Sequence, residues 1–142
     1  MLNTGALFSA GDAHAAQGDG EVCINGIECP ASVTLRFHLH KLESSSGHLA
    51  GPLVESAASQ GQAGQEESWM VIESGPDALA AARAATSRMI DLLASRWGFD
   101  EVHAYLLCSV SMNLKLCQLV NEPIFTVSAA IPKSVLPLRR LF

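Results

Sequence analysis

Ser68 to Gly98 reads SWMVIESGPDALAAARAATSRMIDLLASRWG, and the change of period inside it sets the class of fold. SWMVIES is a short run of strand-forming residues stopped by Gly75-Pro76. Asp77 follows as an N-cap and Gly98 stands just past the last periodic residue, so the spacing predicts a helix between them. Along that helix Leu79, Ala82, Thr86, Met89, Ile90, Leu93 and Trp97 recur at intervals of three and four, one apolar stripe of the kind that packs on a core. A strand feeding directly into an amphipathic helix is the signature of a mixed fold.

Reading towards the C-terminus, Asp100 caps a second segment, EVHAYLLCSVS, whose apolar run suits either a helix or a buried strand. The Asp100-Glu101 pair, so soon after Gly98, favours a helix-to-helix turn. Leu114 to Val120 alternates as a strand, Asn121 to Pro123 makes a turn, and IFTVSAAI is a last strand before Pro132. Towards the N-terminus, SVTLRFHLHKLE (32–43) carries the cleanest period of two, with Val33, Leu35, Phe37 and Leu39 facing one way and Thr34, Arg36, His38 and His40 the other. GALFS (5–9), EVCINGIE (21–28, with Asn25-Gly26 as a turn or bulge) and GPLVES read as shorter strands. Residues 43–66 are rich in Ser, Gly, Ala and Gln and read as a mobile surface loop around GPLVES. The expectation is one domain over residues 1–142 of α+β class, mostly β in sandwich- or barrel-like sheets, with one or two helices in the C-terminal half.

Composition bounds the partners. Hydrophobic residues are 49% and charged residues 16%, with a mean hydropathy of +0.24. So little charge leaves apolar surface for subunit contacts, and a homodimer or larger homo-oligomer is expected. The net charge is -5, and the basic residues stay scattered until Lys133, Arg139 and Arg140, which argues against nucleic acid. No apolar run reaches the length of a membrane span and no basic-then-apolar leader opens the chain, so a cytoplasmic protein without membrane attachment is expected. Cys23, Cys29, Cys108 and Cys117 lack zinc-knuckle spacing and read as reduced thiols.

The densest chemistry lies in Gly11–Glu28, GDAHAAQGDGEVCINGIE, which holds Asp12, Asp19, Glu21 and Glu28 of the chain's 14 acidic residues together with His14 and Gln17. Acidic groups so close repel one another unless a cation or a shared proton lies between them. A solvated acidic turn is the alternative. Gly18 and Gly20 flank Asp19 in a triplet suited to a tight turn with positive φ. His38 and His40 point the same way and could chelate a metal, but a solvated polar strand face is favoured. Cys23 has no adjacent basic partner to make it a nucleophile.

GALFSAGDAHAAQGDGEV with Glu28, and later MIDLLASRWGF, AYLLCSVSMNLKLCQLV and VSAAIPKSV, closely resemble the acetamidase/formamidase family. The resemblance implies hydrolysis of short acyl amides to ammonia and a carboxylate, with short esters as further substrates. It also implies a divalent metal, zinc ahead of calcium, with Asp12, His14 and Glu28 as candidate ligands; a buried carboxylate that activates water without a metal is the alternative. Glu21 or Asp19 would act as general base, Gln17 would orient the amide, and Lys133 would stabilise an oxyanion. Family members are two to three times longer, so the chain reads as their C-terminal half, with part of the family's site either missing or supplied by a neighbouring subunit. Met112 and Asn113 replace the family's usual glycine-aspartate pair and Asn121 stands where aspartate is common, so no role for those carboxylates carries over. A small esterase or a non-catalytic binding or assembly protein are the alternatives.

Overall fold

Asp77 caps the long helix as its position requires: its carboxylate accepts the Ala80 N–H at 2.6 Å, and Gly98 closes the other end in the left-handed conformation, φ 74°. In the computed structural model, which describes residues 7–38, 51–56 and 66–137, this helix is α1, Ala78–Trp97. A second helix, α2, Glu101–Ser111, starts at Asp100, whose side chain accepts the His103 N–H. The helical reading of EVHAYLLCSVS therefore holds.

Strands β1 (His14–Ala16) and β2 (Ile27–Glu28) form a small antiparallel ribbon. Strands β3 (Leu53–Ser56), β4 (Ser68–Gly75), β5 (Asn113–Gln118) and β6 (Phe125–Pro132) make an antiparallel sheet in the order β3-β4-β6-β5, and Lys133–Val135 continues β6 as one 3-10 turn. Register brings Trp69 opposite Ile131 and Val71 opposite Ala129, so these side chains share one face. Helix α1 lies on that face. Ala81, Ala85, Met89, Leu92 and Leu93 meet Trp69, Val71, Val127, Ala129 and Ile131, with Ala104 and Cys108 of α2 completing the core. Met89 and Leu93 are fully buried, and each contributes about 1.5–3 kcal/mol through burial alone. Burial also pushes the Cys108 thiol above its ordinary pKa.

The α+β class is what the structure shows, but helix and strand take roughly equal shares, and helices, not a second sheet, cover the four-stranded sheet. Among the described residues no further strand pairs with β3 or β5, so the sheets do not stack or close as the sandwich- or barrel-like detail expected. The stripe on α1 is shifted in phase. Leu79 is 59% exposed, while Ala81 and Ala85 face the sheet, where small side chains let the helix backbone approach closely. Arg88, expected away from the core, reaches Glu73, the Ile72 carbonyl and the Pro52 carbonyl, tying α1 to β3 and β4.

Of three predicted strands, two form no strand in their described residues and the third forms only at its end. Leu7–Ser9 is irregular, and Gly5 and Ala6 lie outside the described residues. Residues 32–38 are also irregular, with Val33 and Phe37 more than 60% exposed. Alternation needs a partner strand to become β structure, and among the described residues these have none. Leu39 and His40, and most of the expected 43–66 loop apart from β3 and its neighbours, lie outside the described residues. Within EVCINGIE only Ile27–Glu28 is strand, because Glu21 (φ 47°) and Ile24 (φ 72°) turn left-handed and curl the chain.

Candidate functional site

The ribbon's register builds a cluster. His14 and Glu28 are cross-strand partners, and the register shift between His14 and Ala16 leaves an extra residue in β1, a bulge of the sort that re-aims side chains. His14 Nε2 lies 2.8 Å from Glu28 Oε1 and 3.8 Å from Asp12 Oδ1. Asp12 sits in the left-handed region, φ 58°, a conformation aspartate tolerates better than most residues. One ligand atom from each of Asp12, His14 and Glu28 lies within 4.8 Å of the others. The two carboxylates are open to solvent, whereas the imidazole is 13% exposed.

Gly26 explains that difference. A Cβ at this position would come 2.6 Å from His14 Cδ2 and 3.1 Å from the Ala16 carbonyl oxygen, so only glycine lets the return strand lie flat against the ring. The Cys29 N–H to Ala13 carbonyl bond, 3.0 Å, closes the outer end of the ribbon.

One imidazole nitrogen and two carboxylates are donors of the kinds that a zinc site can use. Zinc bonds of about 2.0–2.2 Å at tetrahedral angles put ligand atoms about 3.4 Å apart. The observed 2.8 and 3.8 Å bracket that value. Calcium prefers six to eight oxygens, so the nitrogen and the small number of donors favour zinc.

A groove of about 610 Å³ runs beside the cluster, lined by Gln17, Cys23, Asn25, Gly26 and Ile27 among others. Gly26 forms part of both the groove wall and the backing of His14, so the groove adjoins the imidazole. Asn25 Nδ2 donates to the Cys23 carbonyl at 3.4 Å, and Gln17 brings a second carboxamide to the same wall.

The remaining predicted residues point elsewhere. Glu21 Oε2 accepts from Gln118 Nε2 at 3.1 Å and Asn121 Nδ2 at 2.8 Å. Asp19 faces Lys115 at 3.3 Å, both substantially exposed. Lys133 pairs with Glu55 at 2.6 Å and Glu67 at 3.3 Å and lies over the Trp69 ring; the Glu55 hydrogen bond raises its pKa. Thr126, which joins the Glu21 network, and Lys133 mark opposite ends of β6, roughly 20 Å apart at the rise of a strand. Lys133 is thus not brought together with Glu21. His38 belongs to no group of three metal-ligand residues among the described residues, and His40 lies outside them.

Sequence reading missed Gln118, Thr126 and the donor role of Asn121, because about a hundred residues separate them from Glu21 and no local pattern spans that distance. It also took Gly26 as a turn residue, when its tie to His14 lies in space rather than in φ.

Residues 2–137 match the model of the Acetamidase/Formamidase family. Among solved structures, an acetamidase from Bacillus halodurans is 31% identical with a TM-score of 0.45, over 47% of this chain and 22% of that one. The chain therefore covers under a quarter of that acetamidase's length. No curated protein sequence matches it.

Proposed function

The chain belongs to the acetamidase/formamidase family, and from that premise we propose that it hydrolyses short acyl amides to a carboxylate and ammonia at Asp12, His14 and Glu28. The observation that carries this reading is the convergence of three ligand atoms within 4.8 Å from the segment that most resembles the family. Asp12, His14 and Glu28 would hold a divalent ion, zinc ahead of calcium. Bound there, such an ion supplies a Lewis acid and a water acidified towards neutrality.

The chain's own groups supply the rest. The 2.8 Å contact keeps His14 and Glu28 side by side before an ion takes the imidazole nitrogen, and Gly26 leaves the ring its place against the return strand. Gln17 offers an amide N–H and carbonyl in the groove, a pair that matches the C=O and N–H of an amide substrate. One of Asp12 and Glu28 would use its second carboxylate oxygen to take the proton of an attacking water and return it to the leaving amine, the other serving as a ligand alone. A short acyl group would lie against the apolar part of the groove at Ala16 and Ile27. Self-association accompanies this reading: Val102, Tyr105, Leu106 and Val110 form an exposed apolar face on α2 suited to a second copy.

Incubating the zinc-supplemented protein with acetamide, formamide and p-nitrophenyl acetate tests the proposal. Ammonia release from either amide supports it. Ester cleavage alone would make the protein an esterase, and turnover of none of the three would leave a binding or assembly protein.

A further inference from the structure

We propose that Glu21 is a positioning residue that clamps the β1–β2 ribbon onto the four-stranded sheet and thereby sets how Asp12, His14 and Glu28 meet. The inference rests on the reading of that triad as the hydrolytic centre.

Glu21 sits midway along the connection between the two ribbon strands. Its N–H donates to the Gly18 carbonyl at 3.4 Å, and its own carbonyl accepts the Ile24 N–H at 2.9 Å, so two successive turns pivot on it. Its φ of 47° is one that a glutamate adopts only when its surroundings impose it. The surroundings are visible. Oε2 receives N–H groups from Gln118 and Asn121 at the end of β5; Gln118 Oε1 accepts from Thr126 Oγ1 at 2.9 Å on β6; and Thr126 contacts Ser74 Oγ on β4, also at 2.9 Å. One carboxylate is thus tied through side chains to three neighbouring strands.

The backbone beside it makes the same attachment. The Gly20 N–H donates to the Cys117 carbonyl at 3.2 Å, the Gly20 carbonyl accepts the Leu119 N–H at 2.9 Å, and Asp19 pairs with Lys115. Residues 19–21 therefore dock on the free edge of β5. A general base must be available to the proton it removes, and the Glu21 oxygen that makes contacts already accepts two N–H groups from Gln118 and Asn121.

An exchange of side chains separates clamp from catalyst. Gln118→Glu sets two carboxylates against each other and removes a donor. Adding Glu21→Gln restores the network with the roles reversed: the amide nitrogen then in the place of Oε2 donates to the carboxylate then at 118 and, once the Asn121 carboxamide turns over, to its Oδ1, while the carboxylate at 118 still accepts from Thr126. In the full chain, Q118E is expected to speed hydrogen exchange at the Gly20 and Leu119 amides and to weaken zinc binding by calorimetry about 10-fold or more. The double variant E21Q/Q118E is expected to bring exchange, zinc affinity and acetamide hydrolysis back to within about 3-fold of the parent, because distance-matched donor and acceptor are regained. Exchange in Q118E equal to the parent, or a double variant as loose as Q118E, overturns the clamp. A double variant with restored exchange but no hydrolysis overturns it in favour of a catalytic Glu21. A parent that takes no zinc contradicts the hydrolytic reading instead, and the exchange comparison still decides the clamp.

Discussion

At the scale of single residues, the site depends on one glycine that contributes no chemistry of its own. Gly26→Ala forces either the ribbon or the imidazole to move, since the new methyl would sit 2.6 Å from His14 Cδ2. The His14–Glu28 contact would open, and zinc affinity measured by calorimetry is expected to fall about 10- to 100-fold with the far-UV circular dichroism unchanged. Unaltered affinity would show that the ring position does not matter. The candidate ligands themselves were legible in the sequence, because Asp12 and His14 are two apart and their residue types announce the chemistry. Their contacts were not legible, since these depend on a bulge and on left-handed backbone at Asp12 and Glu21 that no periodicity records.

Element-scale behaviour follows from caps and core. Asp77→Ala removes the cap of α1 and is expected to cost about 0.5–2 kcal/mol by urea unfolding. Met89→Ala, at a fully buried position, should cost about 2–5 kcal/mol in the same measurement. Asp100 has its pKa lowered by the His103 backbone N–H and then by the His103 side chain. A carboxyl whose folded pKa is depressed stabilises the fold above its ordinary value and loses that contribution as pH falls through the lowered one. The acid-side loss of stability should therefore be smaller in Asp100→Asn than in the parent, compared by thermal melts between neutral pH and the acid range. Helices were well read because caps and stops are local: Asp77, Gly98 and Asp100 each sit where the sequence put them. Strand reading failed at 32–38, where the alternation was clear but no partner pairs with it among the described residues, and the α1 stripe slipped in phase because alanine carries little hydrophobic signal.

The whole molecule divides its labour. A sheet backed by two helices holds the core, and a two-stranded ribbon with the triad is joined to it at residues 19–21. Such a ribbon buries little of its own and gains its order from the attachment, so an ion bound by the triad should stabilise ribbon and sheet together. Zinc at 100 times its Kd is expected to add about 2.7 kcal/mol to unfolding, read as a rise in Tm. The exposed apolar face of α2 leads to a second expectation, a dimer or larger assembly by light scattering, which a monomer would contradict. The family could be seen in the sequence because its motif is contiguous, whereas the division into sheet and ribbon could not, since it rests on bonds between residues 19–21 and 115–121. The measurement that bears most directly on the triad as hydrolytic centre is acetamide turnover by the zinc-loaded protein beside His14→Ala and Glu28→Gln, each checked for intact fold by circular dichroism. The parent should release ammonia and each variant should lose at least about 100-fold in rate; a His14→Ala protein that hydrolyses acetamide as fast as the parent would contradict the assignment.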